Sequence, residues 1–453
     1  MTRTVSPEGG SSPSMVSAVP PVSDGYRRYA VLLLMLLYTV NFLDRQIVTI
    51  LAEPIKNELK ISDTQLGILT GLAFGLVYCG LGLPLARLAD RVNRVWIITG
   101  SLALWSAFTL LCGRATNYAT LVAARVGVGV GEAGFVPTSH ALIADYTPKA
   151  KRASALAFFS MGTPIGSLLG MALGGVIADA YGWRTAFLVA GVPGLLLAFL
   201  VMTTLKEPRN AMTVEARTTD RSAQMSFGAT VRYLAAKRTF WFMAFGASIK
   251  SFIGYGHAPF TAAFLMRVHG DEIASLASTF GLKPIGFIGI ALGLLSGVFG
   301  TISSYAGGVI ADRFGGRDLR AYASVPAVAS LLSIPTFTIA ILSDSAVIAL
   351  TFLIPSYLFG ALWYGPVYAS AQGLVPPQMR ATSASIMLFI INMMGLGFGA
   401  LVVGALSDLF NFDFGFGPAE GVRWALLASA YFGLISAVLF WLARKRIREE
   451  MVS

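Results

Sequence analysis

The chain has 453 residues, of which 55% are hydrophobic and only 13% are charged. Soluble domains carry about 25% charged residues, so this composition excludes an ordinary water-soluble fold and indicates that lipid is the main solvent. The net charge of +11 does not indicate nucleic acid, because the basic residues lie in short segments between apolar runs. Both cysteines, Cys79 and Cys112, lie in apolar stretches, and the histidines lack metal-ligand spacing, so we expect neither a disulfide nor a metal site.

Twelve apolar runs are long enough to cross a membrane. A spanning helix needs about 20 mostly apolar residues, and runs of that length exclude membrane strands. In chain order the predicted spans are 28–52, 64–86, 95–113, 117–143, 153–178, 185–205, 239–266, 286–311, 321–342, 346–374, 381–407 and 422–443.

The segments outside these spans suggest the domain organisation. Residues 1–26, rich in Ser, Pro and Gly, are predicted to be a disordered cytoplasmic tail. The longest polar break divides the spans into six and six, and the loop 268–285 is long enough for a short interfacial helix. The predicted units are an N-terminal six-helix bundle over 27–205, a cytoplasmic linker over 206–238, a C-terminal six-helix bundle over 239–445 and a cytoplasmic tail over 446–453.

The distribution of basic residues predicts the orientation. Of 34 Lys and Arg residues, three lie at membrane depth and seven in loops on one side, which leaves 24 for the other side. Because basic residues concentrate in cytoplasmic loops, both termini are predicted to be cytoplasmic. We expect a multi-pass protein of the cell membrane, which in a bacterium would be the inner membrane. The seven external residues are Lys56, Lys60, Arg114, Arg184, Arg267, Lys283 and Arg423.

Three short motifs recur in the same order in both halves, which indicates a duplicated six-helix unit. The pairs are 88–94 with 310–317, 148–154 with 376–382, and 175–179 with 404–408. Within each half, helices that end in aspartate recur about every three spans and end on opposite sides, as inverted triplets require. The sequence therefore predicts an all-α integral membrane protein, with two pseudo-symmetric bundles of 3+3 inverted repeats.

One of these motifs resembles a known family signature. The stretch Ala86-x-Leu88-Ala89-Asp90-Arg91-x-Asn93-Arg94 resembles the major facilitator signature G-x-L-A-D-R-x-G-R-R, with Ala86 and Asn93 replacing glycines. Its repeat at 308–315 keeps both glycines. The resemblance implies a secondary transporter with a charged cytoplasmic gate, whereas the alternative is ordinary loop charges. The candidate gate residues are Asp90, Arg91, Arg94, Asp145, Arg152, Asp312, Arg313, Arg317 and Arg380.

Within that superfamily, the N-terminal half is similar to the spinster family. The stretches that carry this similarity are 41–45, 125–133 and 164–167, together with Asp145 and Arg152. The match is weaker in the second half. Spinster relatives in animals move lysophospholipids and sphingosine phosphate, in some cases with protons, so the resemblance implies a lipid-like substrate.

Charged residues within the spans are the candidate functional groups, because each costs at least about 2.5 kcal/mol at the bilayer centre. Tyr38, Asn41, Asp44 and Arg45 share one arc of the first helix, and Arg125 and Glu132 lie two turns apart on one face of the fourth. We predict that Glu132 is the main proton site with Asp44 as its coupled partner. Arg45, Arg125, Tyr38 and Asn41 are predicted to bind an anionic head group. The alternative is a fixed structural salt-bridge cluster.

Further candidates lie in the second half. Lys250 and His257 share one face of the seventh helix, where they could receive an anionic group, or could instead make structural contacts. Trp363, Tyr364 and Tyr368 form an aromatic cluster on the tenth helix that serves either substrate recognition or packing.

These features together predict a proton-coupled transporter of an amphiphile with a charged head group. The expected partners are that small substrate and membrane lipids, and no nucleic acid is expected to bind. We expect a monomer that needs no cofactor and uses the proton as its coupling ion. The alternatives are an exporter of drugs or small organic anions and a receptor without flux. No nucleophile–base pair or phosphate-binding loop indicates an enzyme or an ATP-driven pump.

Overall fold

The computed structural model describes residues 23–89, 91–148, 151–208 and 227–452, which contain helices and no strand. Twelve long helices, α1 to α12, confirm the predicted fold. They are α1 Asp24–Ile50, α2 Asp63–Ala89, α3 Arg94–Arg114, α4 Tyr118–Tyr146, α5 Arg152–Tyr181, α6 Trp183–Thr204, α7 Arg238–Val268, α8 Pro284–Gly315, α9 Ala321–Leu342, α10 Ala346–Gly373, α11 Pro377–Asp413 and α12 Gly417–Arg444. Short helices are Ala52–Leu59, Phe227–Ala235, Gly270–Thr279 and Ile447–Glu450.

Eleven of the described helices are long and apolar enough to span a membrane by length and composition alone. The twelfth, α7, is 31 residues long and buries the polar side chains Lys250 and His257, which lower its mean hydropathy.

The helix Gly270–Thr279 confirms the short helix expected in the loop 268–285. Phe227–Ala235 lies inside the predicted linker, whereas 209–226 and most of the predicted N-terminal tail lie outside the described residues.

The outer surface of the bundle is apolar. On α6, for example, Leu196 and Phe199 are 68% and 67% exposed. Large contiguous apolar surfaces are rare on soluble monomers, and here they match the hydrocarbon that must surround the helices. The bundle therefore keeps its polar side chains inside or at its two ends.

Two central helices are interrupted at equivalent positions in the two halves. In α4, a turn at 133–134 follows directly after Glu132, and in α10 a turn at 361–363 directly precedes Tyr364. The α4 interruption is slight, since Ala133 and Gly134 keep right-handed helical dihedrals and the Ala133 N–H still donates to the Gly129 carbonyl. Both breaks coincide with residues that the sequence singled out.

The two halves contact each other through α2 with α11 and α5 with α8. We call the end of the bundle that carries Asp24 and Arg444 the termini face, and the end that carries Ile50 and Asp63 the opposite face. Close approaches of α2 and α11 run from Gly404 near the opposite face to Gly75 at mid-bundle. Those of α5 and α8 run from Gly175 to Gly297. The halves are thus closed together at the opposite face.

Candidate functional site

An ion pair at the centre of the N-terminal half joins α1 to α4. The Arg45 Nε donates to the Glu132 Oε2 at 2.5 Å, and their side chains are 9% and 0% exposed. Glu132 is the last residue before the break in α4. The structure therefore confirms that these two predicted residues meet inside the bundle.

The other two predicted charges, Asp44 and Arg125, lie beside this pair. Asp44 is fully buried; its Oδ2 accepts from the Thr109 hydroxyl at 3.2 Å, and its Oδ1 has no hydrogen-bond partner among the described residues. Arg125 is 2% exposed and forms no ion pair with a described residue. The cluster therefore holds one bonded ion pair, one carboxyl bound only by a hydroxyl, and one guanidinium without a bonded acid.

Aromatic rings of α1 and α2 surround the two guanidinium groups. The Arg45 Cζ lies 5.1, 4.9 and 4.4 Å from the ring centroids of Phe42, Phe74 and Tyr78. The Arg125 Cζ lies 5.3 Å from the Phe74 centroid. Such cation–π contacts stabilise buried cations. Sequence reasoning missed Phe74 and Tyr78, and the only available signal was their spacing of one turn on an apolar helix.

Tyr38 and Asn41 continue the polar arc of α1 along the site. The Tyr38 ring stacks on Phe159 of α5 with a centroid distance of 4.5 Å and an interplanar angle of 2°. Asn41 is fully buried, and neither atom of its amide has a hydrogen-bond partner among the described residues. Buried amides normally find partners, so an unpartnered amide beside a charged cluster is a candidate contact for water or ligand.

The C-terminal half presents aromatic side chains to this cluster. Trp363, 2% exposed, stacks on Tyr364 at 3.9 Å, and Tyr364 is 37% exposed. Tyr255 of α7 lines the same small cavity between the halves as Arg45. Of the C-terminal aromatic residues, sequence reasoning had singled out Trp363, Tyr364 and Tyr368 on α10 but missed Tyr255.

The structure places Lys250 and His257 away from the central site. The Lys250 Nζ donates to the Ser333 Oγ of α9 at 3.1 Å, and the His257 Nε2 lies 2.9 Å from the Ser429 Oγ of α12. These contacts match the structural alternative that the sequence left open for both residues, and their role in binding an anionic group stays a prediction. The face of α7 that meets the N-terminal half carries Tyr255, about 140° around the helix from Lys250. A lysine buried inside its own half stands out in the sequence as clearly as one that faces the interface, so charge alone does not separate the two alternatives.

Two cavities lie near the site and at the termini face. A cavity of about 40 Å³ lies between the halves beside Arg45, Arg125, Gln46 and Tyr255, with room for about one water molecule. A cavity of about 480 Å³ lies at the termini face, lined by ends of α3 and α6. In the described residues, no group of three His, Cys, Asp or Glu side chains is placed to hold a metal ion.

The residues predicted to form a cytoplasmic gate make contacts within their own halves. The Arg94 Nη1 donates to the Asp145 Oδ2 at 2.5 Å, the Arg152 Nη2 to the Ala144 carbonyl at 2.7 Å, and the Tyr322 hydroxyl to the Asp312 Oδ1 at 2.8 Å. Asp90 lies outside the described residues, and the gate role stays a prediction. The remaining candidates, all exposed, are Arg91, Arg313, Arg317 and Arg380.

Sequence reasoning missed a charged network that joins the halves at the opposite face. The Arg267 guanidinium of α7 donates to the Glu53 Oε2 at 2.6 Å and to the Asp63 Oδ2 at 2.8 Å. The Lys56 Nζ also bonds to the Asp63 Oδ1, at 2.6 Å. Both cations had been treated only as loop charges, because nothing in the local sequence brings Arg267 near residues more than 200 positions earlier.

Comparisons with known proteins agree with this architecture. Residues 34–396 match the model of the Major Facilitator Superfamily. A protein of Mycolicibacterium smegmatis described as an MFS-type efflux pump is 33% identical over 93% of this chain and 94% of its own. Protein spinster homolog 3 of Danio rerio is 26% identical over 93% of this chain and 85% of its own.

The solved structures that resemble the chain include a bacterial homolog of the human lysosomal transporter spinster. In its inward-facing, unoccupied conformation it gives a TM-score of 0.85 at 30% identity and covers 95% of this chain and 100% of that chain. Its inward-facing, occupied conformation gives a TM-score of 0.81 at 29% identity, with the same coverage of both chains. The chain therefore belongs to the Major Facilitator Superfamily of membrane transporters, which are not enzymes, and within it is similar to spinster proteins.

Proposed function

We propose that this transporter couples proton movement to the transport of an amphiphile with an anionic head group, of the lysophospholipid or sphingolipid type. It works as a monomer by alternating access, with both termini in the cytoplasm, so that the opposite face is external. The observation that carries the proposal is the buried bond between Arg45 and Glu132.

The bond links proton binding to anion binding, because the proton competes with Arg45 for Glu132 and the anion competes with Glu132 for Arg45. A proton on Glu132 cancels its charge and leaves the Arg45 guanidinium without an acid. An anionic head group that binds Arg45 leaves Glu132 as a buried carboxylate without a cation, which is costly. Binding of the anion and of the proton therefore favour each other, and this linkage is reciprocal. Both carboxyls are fully buried in this conformation, so proton exchange with water requires the halves to move.

Arg125 and Asp44 extend this scheme. Arg125 has no bonded acid among the described residues, so its guanidinium is available to a second oxygen of a phosphate-like head group. Among the described residues, Asp44 accepts a hydrogen bond only from the Thr109 hydroxyl. It is the coupled carboxyl, which takes up or releases a proton as Glu132 changes its partner.

The apolar part of the substrate is assigned to the aromatic C-terminal wall, defined by Tyr255, Trp363, Tyr364 and Tyr368. This wall carries no charged side chain of its own, and aromatic rings bind apolar chains while their hydroxyls contact polar groups. The similarity to spinster homologs supports a lipid-like substrate. The similarity to an efflux pump supports the second candidate, an exporter of drugs or small organic anions.

The test uses purified protein in proteoliposomes with an imposed pH gradient and radiolabelled lysophosphatidic acid. Wild-type protein is expected to give saturable, gradient-driven flux. Glu132→Gln keeps the side-chain size but cannot carry charge, so it should lose gradient-driven flux by at least tenfold while remaining folded. Glu420→Gln is the matched control, since Glu420 pairs with Arg423 one turn along α12. An unchanged pH dependence in Glu132→Gln would remove Glu132 from the coupling step.

Competition measurements distinguish the alternatives. If lysolipids displace the labelled substrate and small organic anions do not, the lipid assignment stands; the reverse result supports the exporter of drugs or organic anions. Saturable binding without flux in sealed vesicles would instead indicate a receptor.

A further inference from the structure

One repeated motif has no part in the central site. It reads Gly-x-x-x-Asp at 175–179 near the end of α5 and again at 404–408 within α11. In the C-terminal copy, the Asp408 Oδ1 accepts from the backbone N–H of Asp63 at 3.0 Å, and its Oδ2 accepts from the N–H of Thr64 at 2.7 Å. The Thr64 hydroxyl donates to the same oxygen at 2.6 Å. Since α2 begins at Asp63, a carboxylate of one half caps a helix of the other.

The N-terminal copy makes the corresponding contact. The Asp179 Oδ2 accepts from the backbone N–H of Gly286 at 2.6 Å, in the first turn of α8. The Lys283 Nζ donates to the Asp179 carbonyl at 2.9 Å. Each half therefore extends one aspartate to the first turn of a helix in the other half, at the opposite face.

The glycine of each motif permits this contact. A Cβ at Gly404 would lie 2.1 Å from the Asp63 carbonyl oxygen, and one at Gly175 would lie 2.5 Å from the Ile285 carbonyl oxygen. Neither position accepts a side chain, so the partner helix reaches the backbone of the glycine directly. The aspartate lies one turn further on the same face, where it meets the free N–H groups of the partner's first turn.

We propose that 175–179 and 404–408 are two latches, related by the pseudo-symmetry of the halves, which hold the opposite face closed and must open for the outward-facing state. A carboxylate at a helix N-terminus is stabilised by the exposed N–H groups and by the helix dipole. Each bond joins different halves, so it favours only the conformation in which the halves meet there. The proposal rests on the proposed alternating-access function.

The two latches differ in strength. Beside the latch 404–408, the Ser407 hydroxyl donates to the buried Asp63 Oδ2 at 2.6 Å, and Asp63 is also bound by Arg267. The Asp408 carboxylate itself accepts three hydrogen bonds from the other half, whereas the Asp179 carboxylate accepts one from a described residue, Gly286. Loss of the Asp408 carboxylate should therefore open the face more than loss of Asp179.

The experiment measures the accessibility of a cysteine that the closed face buries. Thr49, 8% exposed, lines the small cavity between the halves, so Thr49→Cys is the reporter in a background with Cys79→Ala and Cys112→Ala. Its rate of reaction with a charged maleimide is measured in lipid nanodiscs. Asp408→Ala and Asp179→Ala should each raise this rate, by about fivefold for Asp408, and the double variant should exceed both. Glu420→Gln, with a carboxyl paired inside one helix, should leave the rate unchanged.

A second reporter separates opening from unfolding. His140→Cys, on an exposed position in the termini-face half of α4, should react more slowly in the latch variants as the population moves outward, whereas unfolding would speed both reactions. Equal Thr49→Cys rates in the double variant and in Glu420→Gln would overturn the proposal. The assay needs neither substrate nor a pH gradient, so this failure is distinct from failure of the proposed proton-coupled lipid transport.

Discussion

The two faces of the bundle use their charges differently. At the opposite face, Arg267 of the C-terminal half binds Glu53 and Asp63 of the N-terminal half. At the termini face, Arg94 binds Asp145 within one half, and no ion pair between described residues joins the halves there. Among the described residues, ion pairs therefore join the two halves at the opposite face and not at the termini face.

The largest expected effect comes from removing the ion pairs that join the two halves at the opposite face. Arg267→Gln would leave Asp63 and Glu53, both buried, without their main cation. Loss of one partner of a buried pair typically costs about 3–5 kcal/mol, so the closed conformation should lose most of its population. Thermal unfolding and the Thr49→Cys labelling rate should both report this loss. Arg423→Gln, which removes a pair within α12, serves as the control and should change neither by much.

A smaller effect is expected at the termini face. Arg94→Gln removes a bond within the N-terminal half, so it should lower stability by about 1–2 kcal/mol without changing the balance of conformations. Circular dichroism melts and the two cysteine reporters measure these quantities separately. A change in labelling toward either face would show that Arg94 joins the halves in another conformation, as the predicted cytoplasmic gate requires.

The smallest effect concerns pH at the opposite face. The Arg184 guanidinium beside Glu58 holds the pKa of that carboxyl below its ordinary value of 4.5. The pair therefore stabilises the fold above about pH 4.5, and this contribution is lost as the pH falls through the lowered pKa. Because the Glu58 side chain is 49% exposed, the contribution should stay below about 1 kcal/mol. Melting curves of wild type and Glu58→Gln should differ at pH 7 and converge as the pH falls below the lowered pKa; a constant difference would contradict the assignment.

Sequence reasoning identified the charged residues of the central site. Arg45 and Glu132 stood out because a charge in an apolar run is costly, and the structure brings them within 2.5 Å. It left two alternatives open for Lys250 and His257, because the cost of burial identifies a polar residue but does not say which neighbouring helix it faces. Tyr255, on another face of α7, gave no such signal.

The lengths of the apolar runs determined the number of helices, because each must match the thickness of the hydrocarbon and bond its own backbone. The repeated motifs determined the pseudo-symmetry of the two halves. Only the tertiary structure decided which residues of different halves meet. Asp408 and Asp63 are 345 residues apart, and their contact depends on how two finished helices pack, which no local periodicity records.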